Sequence, residues 1–161
     1  MESKAKFLGH PIHQMLIVFP LGLLGASVVF DLIYWIADIP SMADVAYWTM
    51  AGGLIGGAIA APFGAIDWLA IPKGTRAKTV GMLHGGGNAL VLLLFLASWM
   101  IRQAHEMEPT TAATAVSLIG VALSLVTAWL GGELVDRHGV GVSDGADINA
   151  TSSLQNHKLS P

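Results

Sequence analysis

Two histidines flank a proline in "GHPIHQML", positions 9–16, where a polar start gives way to a long apolar run. A third, His84, stands near the start of "TVGMLHGGGNALVLLLFLASWM" and shares a helical face with Asn88, four residues on. Gly85, Gly86 and Gly87 follow His84 and strip a stretch of backbone of side chains, which costs helix stability unless a neighbouring helix or a flat cofactor covers it. Asp67, Glu133 and Asp136 complete the set. Three chemistries suit these residue types. His13 and His84 as axial ligands of haem b, with His10 and Asn88 beside them and Arg76, Lys78 or Arg137 at the propionates, would make an electron carrier serving a redox partner or a quinone. His10, His13 and His84 with Asp67, Glu133 or Asp136 would suit zinc or non-haem iron. The same side chains, hydrogen-bonded to one another, would form a clasp that fixes helix packing. The chain has no cysteine, which removes thiolate ligands, disulfides and cysteine nucleophiles. It also has no G-x-S-x-G elbow and no serine spaced with histidine and carboxylate as in a triad, so hydrolysis is not expected.

The elements that must position these groups follow from composition. The 161 residues are 53% hydrophobic and 12% charged, with a mean hydropathy of +0.62, which makes the lipid bilayer the expected solvent. Four stretches, roughly 15–37, 45–71, 79–101 and 110–132, are long enough to cross a bilayer, and the short connections imply an antiparallel four-helix bundle. The expected organisation is one four-span domain over 1–138 and a polar, mobile tail over 139–161, "GVGVSDGADINATSSLQNHKLSP". The first apolar run is too long for a cleavable signal and is expected to remain. Lys4, Lys6, Lys73, Arg76, Lys78, Arg137 and Lys158 fall on one side and Arg102 alone on the other, which places both termini in the cytoplasm of a bacterium with the spans in its inner membrane. A net charge of -3 gives no reason to expect nucleic acid.

With that topology His13, Asp67, His84, Glu133 and Asp136 reach one polar layer near the cytoplasmic interface. Pro11 suits the first helical position, with His10 as N-cap and His13 as third helical residue. Pro20 leaves the Leu16 carbonyl without its usual partner and predicts a mild kink; Pro62 does the same to Ala58. In "AGGLIGGAIAAPFGAIDW" the residues Gly52, Gly56, Ala60 and Gly64, with Gly53, Gly57 and Ala61 beside them, form small-residue stripes for close helix packing, within the chain or in a homodimer. No inverted repeat of a transporter stands out. Solvated positions are expected for His105 and His157, whereas His138 could reach the polar layer. Asp31, deep towards the other face, could pair with Arg102.

The stretches "GHPIHQMLIVFPLG", "APFGAIDWLAIPKGTRAKTVGMLHGGGN" and "GGELVDRHGVGV" together resemble a family of bacterial four-helix membrane proteins known as DUF2231, from about Gly9 to Val142. Members are mostly described as membrane proteins, and some relatives are joined to Rieske-type iron–sulfur or cytochrome modules, so the resemblance implies redox chemistry. It puts weight on His10, His13, His84, Asn88, Gly132 and the "RHGVGV" run from Arg137. Gln14 departs from the family pattern, where proline is common, and is expected to alter the start of the helix more than ligation.

Overall fold

A computed structural model describes residues 1–155; Lys158, counted above for orientation, and His157 lie outside them. The chain opens with a two-stranded hairpin, β1 (Lys6–Phe7) and β2 (His10–Pro11), followed by the helices α1 (Ile12–Leu16), α2 (Val18–Ala37), α3 (Ser41–Ala70), α4 (Arg76–Gln103) and α5 (Thr111–Gly132), and a π-helical turn over Glu133–Arg137. The four spans, Ile12–Ala37, Ser41–Ala70, Arg76–Gln103 and Thr111–Arg137, are each long and apolar enough to cross a membrane. Short connections make them an antiparallel bundle.

Helix limits follow local chemistry. The N-terminal turns of α4 and α5 are capped by Thr75 and Thr110, whose hydroxyls accept from Lys78 N and Ala113 N, both at 3.2 Å. Asp38 closes α2 in the left-handed region, with φ 53°. The first span is interrupted at Ile17, three residues before Pro20, which cannot donate to Leu16. Pro11 is the N-cap of α1 rather than its first helical residue, because it also pairs with Lys6 in the hairpin. The hairpin turn, Leu8 and Gly9, has φ of 50° and 86°, as a tight two-residue turn between antiparallel strands requires.

Packing is densest between α2 and α3 and between α4 and α5, so the bundle is two helical hairpins laid together. Their shared centre is apolar: Leu24, Val28, Met50, Val91 and Phe95 are buried as one cluster. The small-residue stripes of α3 are spent within the chain. A Cβ on Gly52 would meet Leu23, one on Gly56 Phe19 and Pro20, and one on Gly57 Leu92. Outward faces carry exposed Phe19, Ile36, Ile55, Leu93, Leu125 and Trp129, an apolar shell that water would not tolerate and lipid does.

The segment after the π turn lies along the N-terminal hairpin. Met1 N donates to Gly139 O at 2.8 Å and Gly141 N to Met1 O at 2.9 Å. The Glu2 carboxylate accepts from Lys6 Nζ, Ser143 Oγ and Asp144 N, and these donors hold its pKa down to about 2. Ser153 Oγ donates to Leu8 O at 3.0 Å.

Candidate functional site

The terminal hairpin fixes where the first span begins. Ile12 N donates to Ala5 O at 2.9 Å, and Asp67, near the end of α3, accepts from Ser3 Oγ at 2.8 Å and Lys4 N at 2.8 Å. Asp67 therefore anchors the N-terminal strand to α3. His13, one residue into α1, turns towards α3, where its Nδ1 lies 3.0 Å from Ala60 O. Gly64, one turn further along α3, leaves room for the ring: a Cβ there would stand 2.8 Å from His13 Cε1.

His84 is seated the same way in the other hairpin. Its Nδ1 lies 2.8 Å from Thr127 O on α5, and a Cβ on Gly131, again four residues beyond that carbonyl, would stand 2.9 Å from Cε1. Asn88 donates to His84 O at 3.0 Å and accepts from Thr127 Oγ1 at 2.9 Å, tying one turn of α4 to α5. Its Nδ2 also lies 3.3 Å from His84 Nε2 and 3.5 Å from Nδ1. Gly87 packs on Thr127 Cγ2, while Gly85 and Gly86 are exposed with nothing near their Cα atoms. One of the three glycines is thus explained by helix packing, and the other two lie on the exposed side of α4, Gly86 about 200° round the helix from His84.

The two rings meet across the hairpin boundary, centroids 6.4 Å apart and planes at 89°. A carbonyl accepts only from N–H, so both imidazoles carry their proton on Nδ1 and both Nε2 atoms are the lone-pair nitrogens. Orientation of a ring through Nδ1 by a backbone oxygen is the usual support for an Nε2 metal ligand.

The remaining candidates lie apart from this pair. His10 is exposed, 3.4 Å from Ser153 Oγ, beside a polar cavity of about 570 Å³ that Lys6, Gln14 and Ser143 also line. Glu133 lies 3.9 Å from Arg137, and Asp136 is exposed. Lys78 caps the end of α3, donating to Trp68 O at 2.6 Å with its Nζ over the indole, while Arg76 is exposed at the start of α4. Among the described residues no group of three or more His, Cys, Asp or Glu side chains comes close enough to share a metal ion. Sequence reasoning missed Ala60, Gly64, Thr127 and Gly131 as the seats of the two rings; the carbonyl–glycine spacing of four on the second helix of each hairpin was the available signal.

At the opposite end Asp31 and Arg102 form a bidentate ion pair, Nη1–Oδ1 2.6 Å and Nη2–Oδ2 2.5 Å, with neither side chain exposed. Arg102 Nε donates to Ser98 Oγ at 3.3 Å, and Ser98 donates to Ala113 O at 2.7 Å. All the charge is thereby paired inside the bundle, which is the condition for burying it.

No curated protein and no solved structure matches the chain. The sequence profile of the family described as "Predicted membrane protein (DUF2231)" matches residues 9–144, a stretch that takes in all four spans, both histidine seats and the π turn. On that match the chain belongs to the DUF2231 family of membrane proteins.

Proposed function

We propose that this membrane protein is an electron carrier that holds one haem b between His13 and His84. The observation that carries the reading is the pair itself: two imidazoles from different hairpins, each oriented through Nδ1 by a carbonyl, with the Asn88 amide, at 3.3 Å from His84 Nε2, the one group a ligand on that nitrogen would displace. The ring centroids lie 6.4 Å apart, so the two side chains are near enough to be held by one group. Ligand number favours haem over a bare ion. A haem iron takes only its axial ligands from protein, whereas zinc or non-haem iron asks for three or more, and no third ligating side chain accompanies this pair among the described residues. When bound, such a group supplies one-electron chemistry, exchanged with a redox partner or a quinone.

In this reading the chain's own residues orient. Ala60 O and Thr127 O hold the tautomers, Gly64 and Gly131 admit the rings, and Asn88 keeps α4 in register with α5. Arg76 and Arg137, exposed near the same face, are the cations open to propionates, since Lys78 is committed to α3. The excess of lysine and arginine on the face of the termini supports a topology with that face in the cytoplasm and, in this reading, the spans in a bacterial inner membrane.

A second reading has its own support: the bonds from His13 to Ala60 and from His84 to Thr127 join helices whether or not anything binds between the rings. Oxidised and reduced visible spectra of the full chain in mild detergent, with elemental analysis of the same sample, separate the two. A sharp reduced α-band with about one iron per chain, lost in His13→Ala and in His84→Ala but kept in Asp67→Asn, supports the haem carrier. Zinc or iron without the band moves the reading to a metal site. Neither, with both histidine variants less stable to heat, leaves the clasp.

A further inference from the structure

The key residues of the two hairpins recur at fixed spacing. On the first helix of each, His13 and His84, Leu24 and Phe95, Ser27 and Ser98, and Asp31 and Arg102 stand 71 positions apart. On the second, Gly53 and Gly120, Ala60 and Thr127, and Gly64 and Gly131 stand 67 apart. The difference of four is the difference between the two histidine–carbonyl separations, 47 residues in one hairpin and 43 in the other, so the second hairpin has the shorter connection.

Contacts recur along with the residues. Each histidine bonds a carbonyl and lies over the glycine four positions beyond it. In mid-bundle a Cβ on Gly53 would strike Leu24 and one on Gly120 would strike Phe95, and Ser27 and Ser98 are both wholly buried. Generic small-residue packing does not align histidine with histidine and charge with charge.

Both hairpins start on the same face, so the operation relating them is a rotation about an axis along the bundle. Across such an axis equivalent residues face each other, as His13 faces His84 and Asp31 faces Arg102. Two copies of the first hairpin would bring Asp31 against Asp31, and two of the second Arg102 against Arg102, each a buried pair of like charges. We propose that the bundle is a fused pair of equivalent hairpins and that Asp31–Arg102 is the recognition site by which the first hairpin takes the second as its partner, in preference to an identical hairpin of a neighbouring chain. The proposal is independent of what His13 and His84 hold. Opposite charge at the one axial position where the halves differ in sign is a device for specificity, because it penalises the wrong pairing as well as favouring the right one.

The test uses the full chain in mild detergent. Arg102→Asp and Asp31→Arg singly should each lower the thermal midpoint by about 10 °C or more, or prevent folding. The double variant carrying both should recover at least half of that loss; recovery of nothing overturns the proposal. The neutral variant Asp31→Leu with Arg102→Met keeps the question open to an answer if no charged variant folds. It should fold, since apolar replacements of a buried pair are tolerated, yet lose the choice of partner. When two differently tagged copies are co-expressed, they should then co-purify at least twice as much as wild-type copies do. Co-purification no greater than wild type overturns the proposal.

Discussion

At the scale of single residues the site rests on glycine as much as on histidine. His13, His84 and Asn88 were legible from type and depth, because an ionisable or amide side chain inside a span needs a reason. Gly64 and Gly131 were not, since a glycine that admits an imidazole looks the same in sequence as one that admits any helix. Their role has a measurable consequence. Gly131→Ala puts a methyl 2.9 Å from His84 Cε1, and the ring, held by Thr127 O, has to leave that bond or push α4 outward. The cost is about 1–3 kcal/mol by analogy with other overpacked sites, and the pigment of a haem-bearing preparation should fall with it. Gly86→Ala meets nothing in the chain, so it should stabilise the ligand-free protein by up to about 1 kcal/mol through helix propensity. Because Gly86 stands about 200° round α4 from His84, among the exposed apolar residues, the same variant should leave the pigment of a haem-bearing preparation unchanged; loss of pigment would show that the cofactor reaches that face. Spectra and melting curves of the two variants, side by side, check both statements.

At the scale of elements, hydropathy located the spans, and the structure moves the starts of the first three outward. The span expected over 45–71 is α3 over Ser41–Ala70, and the one expected over 79–101 is α4 over Arg76–Gln103. The added turns carry Ser41, Asp44, Arg76, Lys78, Arg102 and Gln103, which lower the hydropathy of an apolar window, while Thr75 before α4 was a readable cap. The β hairpin was not foreseen, because strands of two residues have no periodicity, although Leu8-Gly9 carries the glycine such turns favour. This terminal layer makes two predictions. Asp67→Asn weakens the acceptor that holds Ser3, Lys4 and Ala5, and should cost about 1–2 kcal/mol, seen as faster amide exchange over residues 3–12 with the spans unaffected. Glu2 gives the layer a pH dependence. Its folded pKa, about 2, lies below the ordinary value of 4.5, with the Lys6 bond as the largest cause. The clasp it makes with Ser143 and Asp144 is therefore at full strength above pH 4.5 and is lost as pH falls towards 2. Exchange at the Asp144 amide should rise over that window, after correction for intrinsic rates, and Glu2→Gln should abolish the dependence.

At the scale of the whole molecule, the pairing of hairpins could not be read from either alone. Asp31 and Arg102 were each visible as charges near the far side, and their pairing was one of two expectations; that they meet, rather than Asp31 staying at the interface, depends on the relative height of two hairpins. Their meeting also sharpens the charge asymmetry that sets orientation. Arg102 is buried and neutralised, so among the described residues the face opposite the termini carries no accessible lysine or arginine, while Lys4, Lys6, Lys73, Arg76, Lys78 and Arg137 lie on the face of the termini. Translocating that second face carries acidic residues, Asp38 and Asp44 at one connection and Glu106 and Glu108 in the other, whereas moving the first would carry six cations. The expected topology has the termini in the cytoplasm. Absence of native cysteine makes this directly measurable. His105→Cys and Gly145→Cys each place one thiol at an exposed position, on opposite faces of the bundle. In intact cells with the outer barrier permeabilised, a membrane-impermeant maleimide should label His105→Cys and spare Gly145→Cys until the inner membrane is opened. The reverse pattern would put His13 and His84 on the extracytoplasmic side.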